Sequence, residues 1–560
     1  MPKARLLPTL CLMKTYCPRT ELATHEVSNQ PPLPGDFNLM ADPALRDSLA
    51  AAFNRLGASG GPMEGLLTHG DHLAAFGKTV GSERARDLGR QANENKPVLR
   101  TFDARGRRID EIEFHPAYHE LMKTGLENGV SARAWTHPKA GHIAHGALLA
   151  MMSWADGGVC CPMSMTYAVT SVLNKEDWTH DLWLKGVTAA RYDPNCRPAE
   201  EKSGLTMGMA MTEKQGGSDL RANTTKAKVG VNGEAELVGH KWFCSAPMCD
   251  GFLTLAYEKA GLSCFLVPKW RPDGTRNQME IQRLKDKMGD WSNASSEIEY
   301  RGAWARRIGP PGRGIATIIR MAHHTRYDCV SGSAGGMRKA VKYAAEFVKE
   351  RTAFQKKLID QPLMANTLAD LALESEAALA LAMAVGATFD APGDSRAHLL
   401  SRMLTPVAKY WVCKRQPSLT AEAMECHGGI GFVEESGVPV MFRASPLNAI
   451  WEGSGNVIAL DIQRALMDEK VAGVFREEMS RIGADIPDLE PVTDWLQSAH
   501  KADPRLFAER AAIVFAADAL PAGPLREAWI RLRLKAPSHI WGANAGQVDK
   551  DVILARLFGW

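Results

Sequence analysis

Between about Gly204 and Gly309 the chain changes texture, and that change limits the folds open to it. Short β-rich runs occupy 226–231, 235–238, 252–257, 263–268 and 297–300, separated by turn dipeptides such as Asn232-Gly233 and Asp273-Gly274. On both sides the pattern is helical. Upstream, 42–56, 82–93 and 119–127 carry apolar residues at spacings of three and four, and Asp42 ahead of Pro43 predicts an N-cap. Downstream, 336–351 and 363–387 are rich in Ala, Leu and Met, the pattern of a helix bundle. Blocks of helix, strand and helix without alternating βα units argue against a doubly wound sheet and for an α+β class. The expected organisation is a flexible N-terminal extension at 1–35, an α-helical domain at 36–203 and a small β domain at 204–310. A helical bundle at 311–470 follows, then a helical extension at 471–560 cut into short pieces by Pro487, Pro491, Pro504, Pro521, Pro524 and Pro537.

Composition removes several classes of partner. A formal net charge of +3 over 560 residues leaves no global footprint for nucleic acid or an anionic membrane. Eleven cysteines, with no CxxC pair, point to neither a disulfide framework nor a zinc site and fit a reducing, cytoplasmic setting. No apolar run reaches the ~18–20 residues of a membrane span, and 377–389 reads as a core helix. Lys3, Arg5, Lys14 and Arg19 precede the first acid at Glu21, but the apolar stretch 6–13 is short and broken by Pro8, unlike a secretory signal, and Met13 offers an alternative start. A Walker A loop, a GxGxxG after a strand and HExxH are all missing. His115 and His119 lack a third ligand, and with His142, His145, His323 and His324 they read as ordinary histidines, so no metal is expected.

Three strings carry candidate chemistry. Glu452 stands in Asn448-Ala449-Ile450-Trp451-Glu452-Gly453-Ser454-Gly455-Asn456. A carboxylate backed by Ile450 and Trp451 is poorly hydrated, which raises its pKa toward that of a useful general base, while Gly453 and Gly455 let a flat ligand approach the backbone. Alone, the string fits a helix-capping glutamate better than a base. The loop Met211-Thr212-Glu213-Lys214-Gln215-Gly216-Gly217-Ser218-Asp219 offers main-chain N–H groups and hydroxyls to a flat polar or phosphorylated ligand, or forms a Gly-rich hairpin turn. In His240-Lys241-Trp242-Phe243-Cys244-Ser245 a strand would put Phe243 and Ser245 on one face, a ring for a cofactor plane and a hydroxyl for its edge, or simply a strand with one face in the core.

Taken in order, MTEKQGGSD, HKWFCS, RTAFQ, ECHGGIGF and IWEGSGN resemble the acyl-CoA dehydrogenase superfamily, and with LKDKMGDWSNASSE they resemble its AidB-like subgroup over roughly 29–470. The resemblance implies a helical N-terminal domain, a central small β-barrel domain and a C-terminal four-helix bundle. It implies FAD against the β domain, with Met211 and Thr212 near the flavin pyrimidine and Ser218 by the pyrophosphate or the substrate mouth. Phe243 would pack on the isoalloxazine and Ser245 would bond near N5; Gly217, Cys244, Ile450, Trp451, Gly453, Ser454 and Asn456 complete that side. Arg351 and Phe354 match a pair that reaches the FAD of a neighbouring subunit, and Gly428 and Gly429 match glycines at its adenine-side phosphates, so a homotetramer built as a dimer of dimers is implied. Arg326 matches an arginine at the substrate end, and Glu452 falls on the family's usual catalytic base, acting on an acyl-CoA thioester of short or branched chain. Three positions depart from the pattern: Gln355 stands where Gly is common, Pro362 where Gln is common, and Glu425 where Gln is common.

The same subgroup implies a second reading, duplex DNA binding through a basic C-terminal region in the DNA-alkylation response. The residues weigh against it. From Val471 to Trp560 there are 11 Lys and Arg against 12 Asp and Glu, where phosphate neutralisation needs an excess of cations. The one dense stretch, 526–535, splits its charges between two helix faces and reads as a solvated helix.

Overall fold

The computed structural model describes residues 27–56, 62–174, 177–391, 393, 395–498 and 503–560. Most of the expected N-terminal extension, and the basic residues within it, therefore lies outside the described residues. The short stretch that is described is tied down: Asn29 donates to the Thr352 carbonyl at 2.8 Å and accepts from the Thr352 N–H at 2.8 Å.

The first helical block contains α1 (Pro43–Arg55), α2 (Pro62–Val80), α3 (Glu83–Glu94), α4 (Pro116–Glu127), α5 (Arg133–Thr136), α6 (Gly141–Ala155), α7 (Cys160–Val169) and α8 (Lys185–Val187). Asp42 caps α1 as its sequence predicts, accepting from the Ala44 N–H at 3.0 Å. His115 caps α4 with Pro116 at its first turn, so these residues start a helix. One element departs from the helical expectation. An antiparallel hairpin, β1 (Val98–Phe102) and β2 (Arg108–Glu113), interrupts the block, and its strands alternate too little in polarity to stand out from their neighbours.

The β block forms β3 (Met207–Ala210), β4 (Lys226–Val229), β5 (Glu234–Ser245), β6 (Gly251–Glu258), β7 (Gly261–Pro268), β8 (Met279–Leu284) and β9 (Ser295–Ile308). β5 pairs with β4 and β9, β9 with β7, β7 with β6, and β6 returns to β4 through Tyr257, which closes a small barrel; β3 and β8 attach to β6 and β9. Closure removes the open edges that a sheet of this size would otherwise expose. The Asn232-Gly233 turn joins β4 to β5 with Asn232 at φ 56. β5 is far longer than its sequence run predicts, because the HKWFCS string continues the strand.

The third block is built on α9 (Gly314–Glu350), α10 (Pro362–Asp390) and α11 (Arg396–Glu425), which pack on one another. A two-residue hairpin, β10 (Thr352–Ala353) and β11 (Lys356–Lys357), follows α9. After α11 come α12 (Val438–Ala444) and α13 (Gly455–Ala465), the latter laid along α11 as the fourth bundle member. The tail supplies α14 (Glu469–Asp485), α15 (Glu490–Ser498), α16 (Pro504–Ala519), α17 (Pro524–Ile530) and α18 (Lys550–Phe558). These tail helices cover α10 and α11, and Phe507, Ile513 and Trp529 join the same apolar core as the bundle. No described helix is long and apolar enough to cross a membrane.

The stretch 526–535 is not a solvated helix. Arg533 is buried, donating to Asp370 at 2.7 Å and Glu374 at 2.8 Å on α10; Lys535 pairs with Asp488 at 2.8 Å, and Arg526 caps the Leu520 carbonyl at 2.7 Å. Arg533 ties this stretch to the bundle, while Lys535 and Arg526 bond within the tail.

Candidate functional site

The loop after β3 is shaped by a carboxylate sealed behind it. Glu213 is fully buried and accepts from the N–H and hydroxyl groups of Thr224 and Thr225 (2.6 to 3.1 Å), from Gln215 and from the Lys241 ammonium at 2.9 Å. Burial alone would raise its pKa, but these donors and the lysine's charge hold it well below the usual carboxylate range. The pair spans the loop and β5, so the two strings are joined from behind. In front, the Trp242 N–H donates to the Thr212 carbonyl at 2.8 Å, and Asn223 donates to the Met211 carbonyl at 3.1 Å. Gly216 takes φ +121 in the turn, and a Cβ on Gly217 would stand 2.4 Å from the Thr212 hydroxyl, so this close packing admits only glycine.

A bulge between Lys241 and Cys244 lets Trp242 and Phe243 both avoid the barrel interior. Phe243 is 48% exposed, and Ser245 lies on the same side, 3.4 Å from the Ser295 hydroxyl. Cys244 points the other way. Its thiol is in the barrel core, pushed up to about 12 by burial, which leaves only its main chain on the Phe243 face.

Glu452 lies in the turn between α12 and α13 with φ 57, a left-handed conformation unusual for a residue other than glycine. Three successive carbonyls of that turn are held by buried cations from two helices. Lys409 of α11 donates to the Trp451 carbonyl at 2.8 Å and the Gly453 carbonyl at 2.7 Å, while Arg326 of α9 donates to the Glu452 carbonyl at 2.9 Å and pairs with Asp461 at 2.5 Å. Asn448 adds a bond to Ser333 on α9 at 3.0 Å and accepts from the Trp451 indole at 2.8 Å. One oxygen of the carboxylate is left bare: Oε2 is buried without a partner. Desolvation therefore raises its pKa, opposed by the Thr325 hydroxyl and by Arg326 and Lys409. The cause is the helices around it. Ile450, expected to shield it, is 62% exposed, and only Trp451 fulfils that part by packing onto the barrel's apolar cluster, which brings the Glu452 turn to the barrel. The capping alternative does not apply, since Ser454 is the N-cap residue of α13.

Ser454 and Ser218 are exposed, and Ser454 makes no capping bond. The Asn456 side-chain oxygen accepts from Arg505 of the tail at 2.8 Å. The remaining motifs gather elsewhere. Phe347 near the end of α9 packs on His427 with ring centroids 4.9 Å apart, which places Gly428 and Gly429 beside the hairpin that follows Arg351. Nothing stands within 4 Å of a Cβ at either glycine, and Phe354 is 92% exposed at the hairpin tip. Arg351 is turned to Asn29 and Gln30. Along α9 this second cluster is about 37 Å from Arg326 at the helical rise.

Sequence reasoning missed Lys409, Glu213 and Lys241. The last two lay inside the quoted strings, read there only for glycines, hydroxyls and rings. Lys409 had a signal of its own, a lone cation between Val407-Ala408 and Tyr410-Trp411. No group of three or more His, Cys, Asp or Glu among the described residues is placed to hold a metal.

Comparison with known proteins agrees with this fold. Residues 29–194 match the adaptive response protein AidB N-terminal domain, 208–303 the acyl-CoA dehydrogenase middle domain and 312–467 the acyl-CoA dehydrogenase C-terminal domain. The AidB protein of Escherichia coli K12, named as an acyl-CoA dehydrogenase, is 41% identical over 461 residues, 81% of this chain and 82% of that protein. Acyl-CoA dehydrogenase family member 11 of Caenorhabditis elegans is 32% identical over 410 residues, 70% of this chain and 66% of that one. Among solved structures, the Bd2924 apo-form superposes with a TM-score of 0.78 at 26% identity, covering 90% of this chain and 99% of that chain. The C. elegans ACDH-11 complex with C11-CoA also gives 0.78, at 24% identity, covering 98% and 95%. The chain belongs to the acyl-CoA dehydrogenase family of flavoprotein oxidoreductases, among its AidB-like members.

Proposed function

We propose that the chain oxidises an acyl-CoA thioester between its α and β carbons, with Glu452 as the base that takes the α-proton. One observation carries this: a buried carboxylate oxygen with no partner, in a turn fixed by cations from α9 and α11 and packed against the barrel face that bears Phe243 and Ser245. A thioester α-proton is acidic enough for such a base, whose raised pKa strengthens it near neutral pH. The residues present fit FAD. Phe243 offers a half-exposed ring, and Ser245 and Thr212 offer hydroxyls beside the glycine turn at Gly216 and Gly217. When bound, FAD supplies the acceptor for the β-hydride. Trp451 closes the barrel side of the base against water, and Arg326 keeps the turn in register with α9.

The acyl-CoA class is supported by the C11-CoA complex of the C. elegans protein, and a short or branched acyl group by the packing beyond Thr325. There Tyr327, Tyr167 and His145 fill the space between α6, α7 and α9, with the Tyr167 and His145 rings stacked at 3.5 Å. The second cluster, with Phe354, Gly428 and Gly429, is too far along α9 to reach a cofactor held by the same chain's barrel. That supports a cofactor site completed by a neighbouring copy, as in a tetramer. The docked cations of 526–535 give no support to duplex binding by the tail.

Anaerobic titration with acyl-CoA thioesters of graded length, followed by flavin absorbance, tests the reading. Short or branched thioesters should bleach the flavin and Glu452→Gln should keep FAD but stop bleaching. Bleaching at the normal rate by Glu452→Gln would overturn the assignment.

A further inference from the structure

Lys409 is 2% exposed, on a helix whose other buried neighbours are mostly apolar. Burying an ammonium costs several kcal/mol, normally offset by a carboxylate at contact. Here its described bonds go to two neutral carbonyls, those of Trp451 and Gly453, on either side of the base. Arg326 takes the carbonyl between them. The three bonds account for a backbone otherwise unfavourable: φ is 57 at Glu452 and 102 at Gly453. A non-glycine residue in that region is strained and persists only where its surroundings over-determine it.

The charges around the carboxylate give the lysine a second part. From α9 it is faced by Arg326, Asp328 and Cys329, from α11 by Lys409, and from α7 by Cys161; Asp461 of α13 acts through Arg326. Asp461 neutralises Arg326 at 2.5 Å, and Asp328 is taken by His145 at 2.7 Å and Ser164 at 2.5 Å. Both cysteine thiols are pushed up by burial and stay neutral. Arg326 and Lys409 both supply positive field at the carboxylate, Arg326 with Asp461 at contact and Lys409 with no acid at contact.

We propose that Lys409 is a positioning residue for the base, its ammonium fixing with Arg326 the left-handed turn that aims the Glu452 carboxylate and supplying the positive field in which that carboxylate takes a proton. This rests on Glu452 being the base. The test uses the FAD-loaded protein with Lys409→Met, Lys409→Gln and Lys409→Arg beside Glu452→Gln, reading FAD content, melting temperature and the pH dependence of anaerobic bleaching by an acyl-CoA that reduces the parent protein. Loss of the charge in the Met and Gln variants should slow bleaching at least tenfold and move the acid limb of the profile up by about one pH unit, with FAD retained. Lys409→Arg should keep the limb in place and recover most of the rate. An unmoved limb in the Met or Gln variant, or a rate loss that follows FAD content alone, would overturn the proposal. If neither folds with FAD, Lys409→Arg decides: a limb in place supports it and a displaced limb overturns it. Bleaching by Glu452→Gln at the normal rate would instead refute the base assignment, whereas an inactive Glu452→Gln with an unmoved limb in Lys409→Met refutes only the role of Lys409.

Discussion

Glu213, fully buried, and Glu452, half-buried with one carboxylate oxygen sealed from water, each stand next to a buried lysine, yet they are opposite devices. At Glu213 the lysine and four threonine donors bind the carboxylate itself. At Glu452 the lysine binds the backbone on either side and leaves a carboxylate oxygen bare. One arrangement lowers the acid's pKa and spends the residue on structure; the other raises it and keeps the residue for chemistry. What separates a buttress from a base is therefore which atoms the neighbouring cation touches, and burial by itself does not decide it.

The contrast can be broken most directly at the base. Glu452→Gln should lower the rate of flavin bleaching by about 10²–10⁴-fold. It should also leave the protein at least as stable at pH 7. The folded pKa of Glu452 is raised, so the folded state binds its proton more tightly than the unfolded one, and stability falls as pH rises from the ordinary carboxylate value through the folded value. Urea unfolding across that range should show the slope reduced in the variant.

Glu213→Gln should do the reverse, costing about 3–5 kcal/mol at neutral pH by stranding Lys241 in the barrel. Its folded pKa is depressed, so the stabilisation is present above the ordinary carboxylate value and is lost as pH falls through the folded value. Chemical denaturation from neutral to acid pH would check both parts, and a variant as stable as the parent would remove the buttress from the account.

Arg533 supplies an intermediate case, a cation shared by two buried acids. Arg533→Met should cost about 2–3 kcal/mol, softened because Arg415 still reaches Glu374 at 3.3 Å and the Gly542 N–H still reaches Asp370 at 2.9 Å. Thermal unfolding of the two variants should rank Arg533→Met below Glu213→Gln in effect. The smallest change concerns the left-handed geometry shared by Glu452 and Gln355, the latter at φ 65 in the hairpin after α9. No buried cation holds Gln355, so Gln355→Gly should raise stability by about 0.5–1 kcal/mol in denaturant titrations.

Much of the frame was legible because its signals are local. The cap at Asp42, the turn at Asn232-Gly233 and the helical spacing of α10 follow from neighbouring residues, and the structure has them where the pattern puts them, while α9 extends the 336–351 pattern upstream to Gly314. The hairpin at 98–113 and the strands β3 and β8 were not legible, since short strands with weak alternation acquire their identity only from the partner they pair with. At the site, the glycines and rings could be read from type, but Ile450 could not be placed. It precedes Trp451 in sequence, and yet one side chain faces solvent and the other the barrel. The fate of Arg533 was equally hidden: helical periodicity gives its face but not whether two acids of α10 lie beneath it.

By itself the sequence determined the block order, the strings that identify the family and the presence of a lone glutamate between apolar residues and glycines. Each depends on residue type and near-neighbour spacing, which the chain carries before it folds. Only the tertiary structure decided that Lys241 would neutralise one glutamate while Lys409 would spare the other. That choice is made by distances of 2.7 to 2.9 Å between residues 28 or more positions apart, in a medium where a charge without a partner is costly enough to set both the pKa and the part each residue plays.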